Sequence, residues 1–106
     1  MATIETIKAA NEAIGHHFFK PEIMRFFGSR ILAEVYEGAG GVYFVSSERP
    51  PFGPREYRVR RANPDGTITT MENGLASVED ETFPERHAFA SATWAKSRAR
   101  QLAKGV

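Results

Sequence analysis

Asn63-Pro64-Asp65-Gly66 lies between two runs of alternating polarity, and no other four residues restrict the fold as strongly. Pro64 presets φ at the second turn position, and Gly66 accepts a positive φ at the fourth. Before the turn, Tyr57 and Val59 alternate with Arg58 and Arg60; after it, residues 67–71 (Thr-Ile-Thr-Thr-Met) read as a returning strand. The same period of two begins at Arg30, where Ile31, Ala33 and Val35 alternate with Leu32, Glu34 and Tyr36. Residues 37–41 (Glu-Gly-Ala-Gly-Gly) interrupt it and residues 42–47 (Val-Tyr-Phe-Val-Ser-Ser) resume it, which predicts a hairpin with a Gly-rich loop. The stretch 49–54 (Arg-Pro-Pro-Phe-Gly-Pro) is a stiff connector, because proline has no N–H for a sheet ladder.

Helical spacing flanks the strands. Thr3 can cap a first helix with Glu5 in its opening turn; Ile4, Ile7, Ala10 and Ile14 form a stripe, and Gly15 suits a left-handed stop. Pro21 fits the first position of a short second helix, with Ile23, Phe26 and Phe27 on one side and Gly28 at its end. Residues 75–82, polar and acidic, read as a loop. Pro84 opens a last helix in which Ala88, Ala92, Ala95, Ala99 and Leu102 share a stripe and Gly105 ends the run. Acids before this helix and bases at its end follow from the helix dipole.

With 106 residues, the chain is expected to form one α+β domain over residues 1–106. The expected architecture is a four-stranded antiparallel β-meander with the C-terminal helix packed on one face and two short N-terminal helices. Residues 16–30 hold four of the eight Phe and two of the three His. Phe18, Phe19, Phe26 and Phe27 are expected to be mostly core, clamping the short helix to the sheet.

The chain has no Cys, which removes disulfides, thiolate metal sites and cysteine nucleophiles. No secretory signal is expected in the first residues and no long apolar span follows, so a cytoplasmic location and no membrane partner are expected. Net charge is +1; a DNA mimic needs a large negative excess, and a strongly basic nucleic-acid binder a large positive one. The charge is unevenly spread, however. Arg49, Arg55, Arg58, Arg60 and Arg61 fall within thirteen residues, and Glu72, Glu79, Asp80, Glu81 and Glu85 follow.

Catalytic and cofactor signals are weak. His16 and His17 are adjacent, so their side chains diverge; with Glu12 and His87 they make a poor metal set, and no metal or other cofactor is expected. The Gly38–Gly41 loop lacks the Lys-Ser/Thr of a phosphate loop and leads into a strand. Ser46 and Ser47 lie in a strand without a G-x-S-x-G elbow. No enzymatic activity is expected. Arg58 and Arg60 share one strand face and, with Arg49 or Arg55 and an aromatic such as Tyr43 or Phe52, can meet phosphates and bases. The alternatives are a solvated sheet face paired with Glu34, Glu56 or Glu72, and contact with an acidic protein partner. Trp94, the sole Trp, lies about 120° from the Ala stripe on a side shared with His87, Arg98 and Gln101. It reads as a core-edge residue or an interface anchor.

The strings His17-Phe18-Phe19, Met24-Arg25-Phe26-Phe27-Gly28-Ser29-Arg30, Val35-Tyr36, residues 40–48 (Gly-Gly-Val-Tyr-Phe-Val-Ser-Ser-Glu), Tyr57-Arg58-Val59-Arg60-Arg61 and Asn63-Pro64 resemble a family of small phage and prophage proteins of unknown function. The resemblance covers roughly residues 5–103. It implies a phage or prophage origin and the host cytoplasm, and it supplies no catalytic residues. The expected function is binding of a host protein, modulating host physiology or defence, with Arg49, Arg55, Arg58, Arg60, Trp94 and Arg98 as candidate partner-binding residues. The alternative is a small nucleic-acid-binding module that uses the Arg-rich strand.

Overall fold

The computed structural model describes residues 2–16, 18–26, 28–49, 55–71 and 92–105. Helices α1 (Ile4–Ala13) and α2 (Pro21–Phe26) precede strands β1 (Arg30–Gly38), β2 (Gly41–Glu48), β3 (Glu56–Ala62) and β4 (Ile68–Thr70); helix α3 (Ala92–Lys104) follows. The strands form one antiparallel sheet in the order β1-β2-β3-β4. This is the α+β meander the alternation predicts. Thr3 caps α1, its hydroxyl accepting from the Thr6 amide while Thr6 reciprocates. Gly66 takes a φ of +95° in the β3–β4 turn, as the Asn-Pro-Asp-Gly chemistry requires.

Alternation divides the sheet into two buried faces. Tyr43, Val45 and Val59 pack against Ala95, Ala99 and Ala103 of α3, with Leu32, Tyr36, Tyr57 and Met71 at the margin. Small side chains let that helix lie close on the sheet. On the other face Phe44 is fully buried with Ile7 and Phe19, and Phe18, Met24, Ile31, Val35, Val42 and Ile68 pack around them. The Phe18, Phe19 and Phe44 rings meet with centroids 4.8–6.0 Å apart. The sheet thus carries α3 on one side and the N-terminal segment on the other.

Two expectations are corrected. Phe26 is 82% exposed, and no residue of α2 is buried, so the clamp closes with Phe18, Phe19 and Met24. A six-residue helix cannot turn Met24 and Phe26 to the same side. Phe27 lies outside the described residues. In α1 the buried pair is Ile7 and Asn11, one turn apart, while Ala10 and Ile14 are exposed. In β1 the register with β2 shifts between Ile31 and Val35, yet the alternation of faces holds: Ile31 and Val35 pack on the Phe44 side, and Leu32 and Tyr36 on the α3 side.

Candidate functional site

β3 directs Arg58 and Arg60 to the face opposite α3, as their spacing predicts. The β2–β3 register sets Phe44 beside Arg60, Ser46 beside Arg58, and Glu48 beside Glu56. Arg60 Nε donates to Ser46 Oγ at 2.8 Å, and its terminal nitrogens donate to Glu48 Oε1 and Thr70 Oγ1. Ser46 in turn donates to Glu48 Oε1 at 2.9 Å. Arg58 donates to Glu56 Oε2 at 2.8 Å and stands 4.0 Å from Glu48. The Arg60 and Glu48 side chains are only 13% and 12% exposed, and the Arg60 guanidinium lies 5.0 Å from the Phe18 ring centroid. Burial pulls Arg60 below the usual arginine range, and Glu48 opposes that shift. Two arginines and two glutamates therefore make a charge-balanced ladder.

Of the expected carboxylate partners, Glu56 is present here, Glu34 pairs with Lys96 on α3, and Glu72 lies outside the described residues. Glu48 is the partner that sequence reasoning missed. The expected aromatic neighbours also differ. Tyr43 faces α3 with Arg61 5.9 Å from its ring, Phe52 lies outside the described residues, and Phe18 is the ring beside Arg60.

Arg49 and Arg55 belong to a different cluster. Arg55 Nη1 donates to the Gly28 carbonyl and to Ser47 Oγ, both at 2.9 Å. Ser47 is the ladder partner of Arg30, so Arg30 and Arg55 flank one serine on the α3 face. Gly28 has φ +58°, and a Cβ there would lie 3.2 Å from the Cβ of Arg49. Its amide donates to the Arg25 carbonyl at 3.2 Å. Four arginines thus surround one turn: Arg25, Arg30 and Arg49 are exposed, and Arg55 is half-buried. Among the described residues none of these four forms an ion pair with a carboxylate. Arg25 and Arg30 are visible in the sequence on either side of Gly28; only the folded turn brings Arg49 and Arg55 to them.

Trp94 is 59% exposed on α3, and Arg98 is half-buried with a long 3.4 Å hydrogen bond to Gln101. The helix lies over β2 and meets β1 along one flank, with Lys96 on Glu34 at 2.9 Å, Arg100 5.5 Å from the Tyr36 ring centroid, and the Ala103 carbonyl at the hairpin tip. Its Trp94 end therefore points toward the Arg30 end of the sheet. Tyr36 donates to Glu34 at 2.7 Å; burial, then that hydrogen bond, pushes the phenol up to about 12. The same bond and Lys96 lower Glu34.

The Gly-rich hairpin has a packing role. Gly40 donates to Ala103 O at 2.9 Å, and Cβ atoms at Gly38 and Gly40 would collide with the carbonyls of Ala103 and Leu102. The loop faces the negative end of α3, which disfavours a phosphate. Ser46 and Ser47 are each 1% exposed, inside the sheet's hydrogen-bond network. His16 is exposed after α1, whereas His17 and His87 lie outside the described residues. Among the described residues no helix is long and apolar enough to cross a membrane.

No curated protein and no solved structure matches the chain. Residues 3–78 match a family of unknown function (DUF7447). That span takes in α1, α2 and β1–β4, with the Arg–Glu ladder and the Gly28 turn, while Trp94 and Arg98 lie beyond it. On that match, the chain belongs to this family of unknown function.

Proposed function

We propose that this protein is a non-catalytic accessory protein that binds another protein, and that it is encoded by a phage or prophage and acts on a host protein in the host cytoplasm. The reading is carried by the pairing of Arg58 and Arg60 with Glu48 and Glu56. A strand that reads a nucleic-acid backbone must present its cations to phosphates. Here the same guanidiniums hold the sheet face together. The exposed indole of Trp94 supports the reading, since Trp is enriched at protein-binding hot spots. The buried Ser46 hydroxyl, held by Glu48 and Arg60, is poorly disposed to meet a substrate, which supports a non-catalytic role. The phage origin and the host partner rest on the resemblance of the aromatic and strand motifs.

The test is capture of partners by the tagged full chain from bacterial host lysate, with and without nuclease. A discrete protein band that survives nuclease is expected. Loss of every band on nuclease treatment, with nucleic acid recovered from the untreated sample, contradicts the reading.

A further inference from the structure

The four arginines at the Gly28 turn differ in kind from the ladder arginines. Arg55 is locked by hydrogen bonds to Gly28 and Ser47, and Arg30 sits opposite Ser47 on the adjacent strand. Directly opposed positions bring Cβ atoms within about 5 Å, so these guanidiniums arise from one small area. Arg49 is packed against the same turn, and Arg25 precedes it by three residues. Among the described residues these four arginines form no ion pair with a carboxylate; like charges held together repel one another, and an anionic partner relieves that repulsion. We infer that the arginine cluster around Gly28 is a docking site for an acidic segment of a partner protein, an inference that rests on the protein-binding reading above.

Carboxylates suit the cluster better than a nucleic-acid strand does. The guanidinium fork matches a carboxylate in bidentate geometry, and a fixed Arg55 loses little freedom on binding. Single-stranded nucleic acid is held in a basic groove that tracks several successive phosphates. This cluster is confined to one turn, on a chain whose net charge is only +1. The α3 end bearing Trp94 lies toward the same end of the sheet, so an aromatic contact can accompany the charged one.

The probe is a fluorescently labelled poly-Glu peptide, followed by anisotropy with the full chain at ~50 mM salt, where screening is weak. Saturable binding is expected, weakened about tenfold or more in Arg30→Glu/Arg49→Glu. The control, Lys8→Glu/Lys104→Glu, makes the same change in net charge at two other exposed positions and is expected to bind within about twofold of wild type. Thermal melting establishes that both variants are folded, and Arg30→Gln/Arg49→Gln replaces the reversal variant if it is not. Equal weakening in the two double variants overturns the inference. So does a single-stranded oligonucleotide that binds through Arg30 and Arg49 while the peptide does not. In the lysate experiment, a protein band captured undiminished by the reversal variant overturns this docking site and leaves the protein-binding reading standing. Absence of any nuclease-resistant band with wild type overturns both.

Discussion

The amide of Gly40 donates to the carbonyl of Ala103 across 2.9 Å, so the tip of the β1–β2 hairpin caps the C-terminal end of α3. This contact needs glycine, because a Cβ at Gly40 would overlap the Leu102 carbonyl. Gly40→Ala is expected to cost about 3 kcal/mol, the upper end of ordinary overpacking. Gly15→Ala is the reference: φ is +80° there but nothing lies within 4 Å of the added carbon, so the expected cost is only the about 1–2 kcal/mol of left-handed strain. Urea denaturation of both variants checks the difference; equal losses would remove the hairpin cap.

Phe19 and Phe44 are 3% and 0% exposed, whereas Phe26 is 82% exposed. Phe44→Ala or Phe19→Ala is expected to cost about 3–5 kcal/mol, and Phe26→Ala far less. The same denaturation series tests this. A Phe26 variant as unstable as the Phe19 variant would restore the four-ring clamp.

Features that depend on neighbours in sequence were legible. The Asn63–Gly66 turn, the Thr3 cap and the parity that puts Arg58 and Arg60 on one face all follow from local spacing. Features that depend on how distant segments align were not. Glu48 meets Arg60 only because of the β2–β3 register, and the connector at 49–55 does not reveal that register. The register shift in β1 hides for the same reason, since the alternation of faces runs through Ala33 uninterrupted. Asn11 is polar and carries no apolar signal, yet it lies one turn beyond Ile7 and follows it into the interior.

Asn11 is fully buried, and its amide donates to the Gly66 carbonyl at 2.9 Å, joining α1 to the β3–β4 turn. Asn11→Ala leaves that carbonyl without its donor and is expected to cost about 1–3 kcal/mol. Asn11→Asp places a carboxylate against a carbonyl oxygen and is expected to cost more at neutral pH. Burial raises the pKa of such an acid. Its gap from wild type, measured at matched pH by chemical denaturation, should narrow between about pH 7 and about pH 4, as the protonated acid regains a donor. A gap independent of pH contradicts the buried hydrogen bond.

Tyr36 supplies a pH signature for the docking of α3. Its folded pKa is raised, by burial and by the hydrogen bond to Glu34, from 10.0 to about 12. The proton is therefore held more tightly in the folded state. The associated stability is fully present below pH 10 and is lost as pH rises through about 12. Stability against urea should fall more steeply across that window in wild type than in Tyr36→Phe. Parallel curves would contradict the Tyr36–Glu34 bond.

Arg58 and Arg60 are paired with Glu48 and Glu56 in the sheet face, which leaves them poorly placed for a phosphate backbone. Anisotropy of a labelled single-stranded oligonucleotide, titrated with wild type and with Arg58→Ala/Arg60→Ala from ~50 mM salt upward, is the test. No binding through these two arginines is expected, and thus no difference in salt dependence between the two proteins. Saturable binding by wild type, with a log–log salt slope that flattens by roughly 1.5 in the double variant, would contradict it.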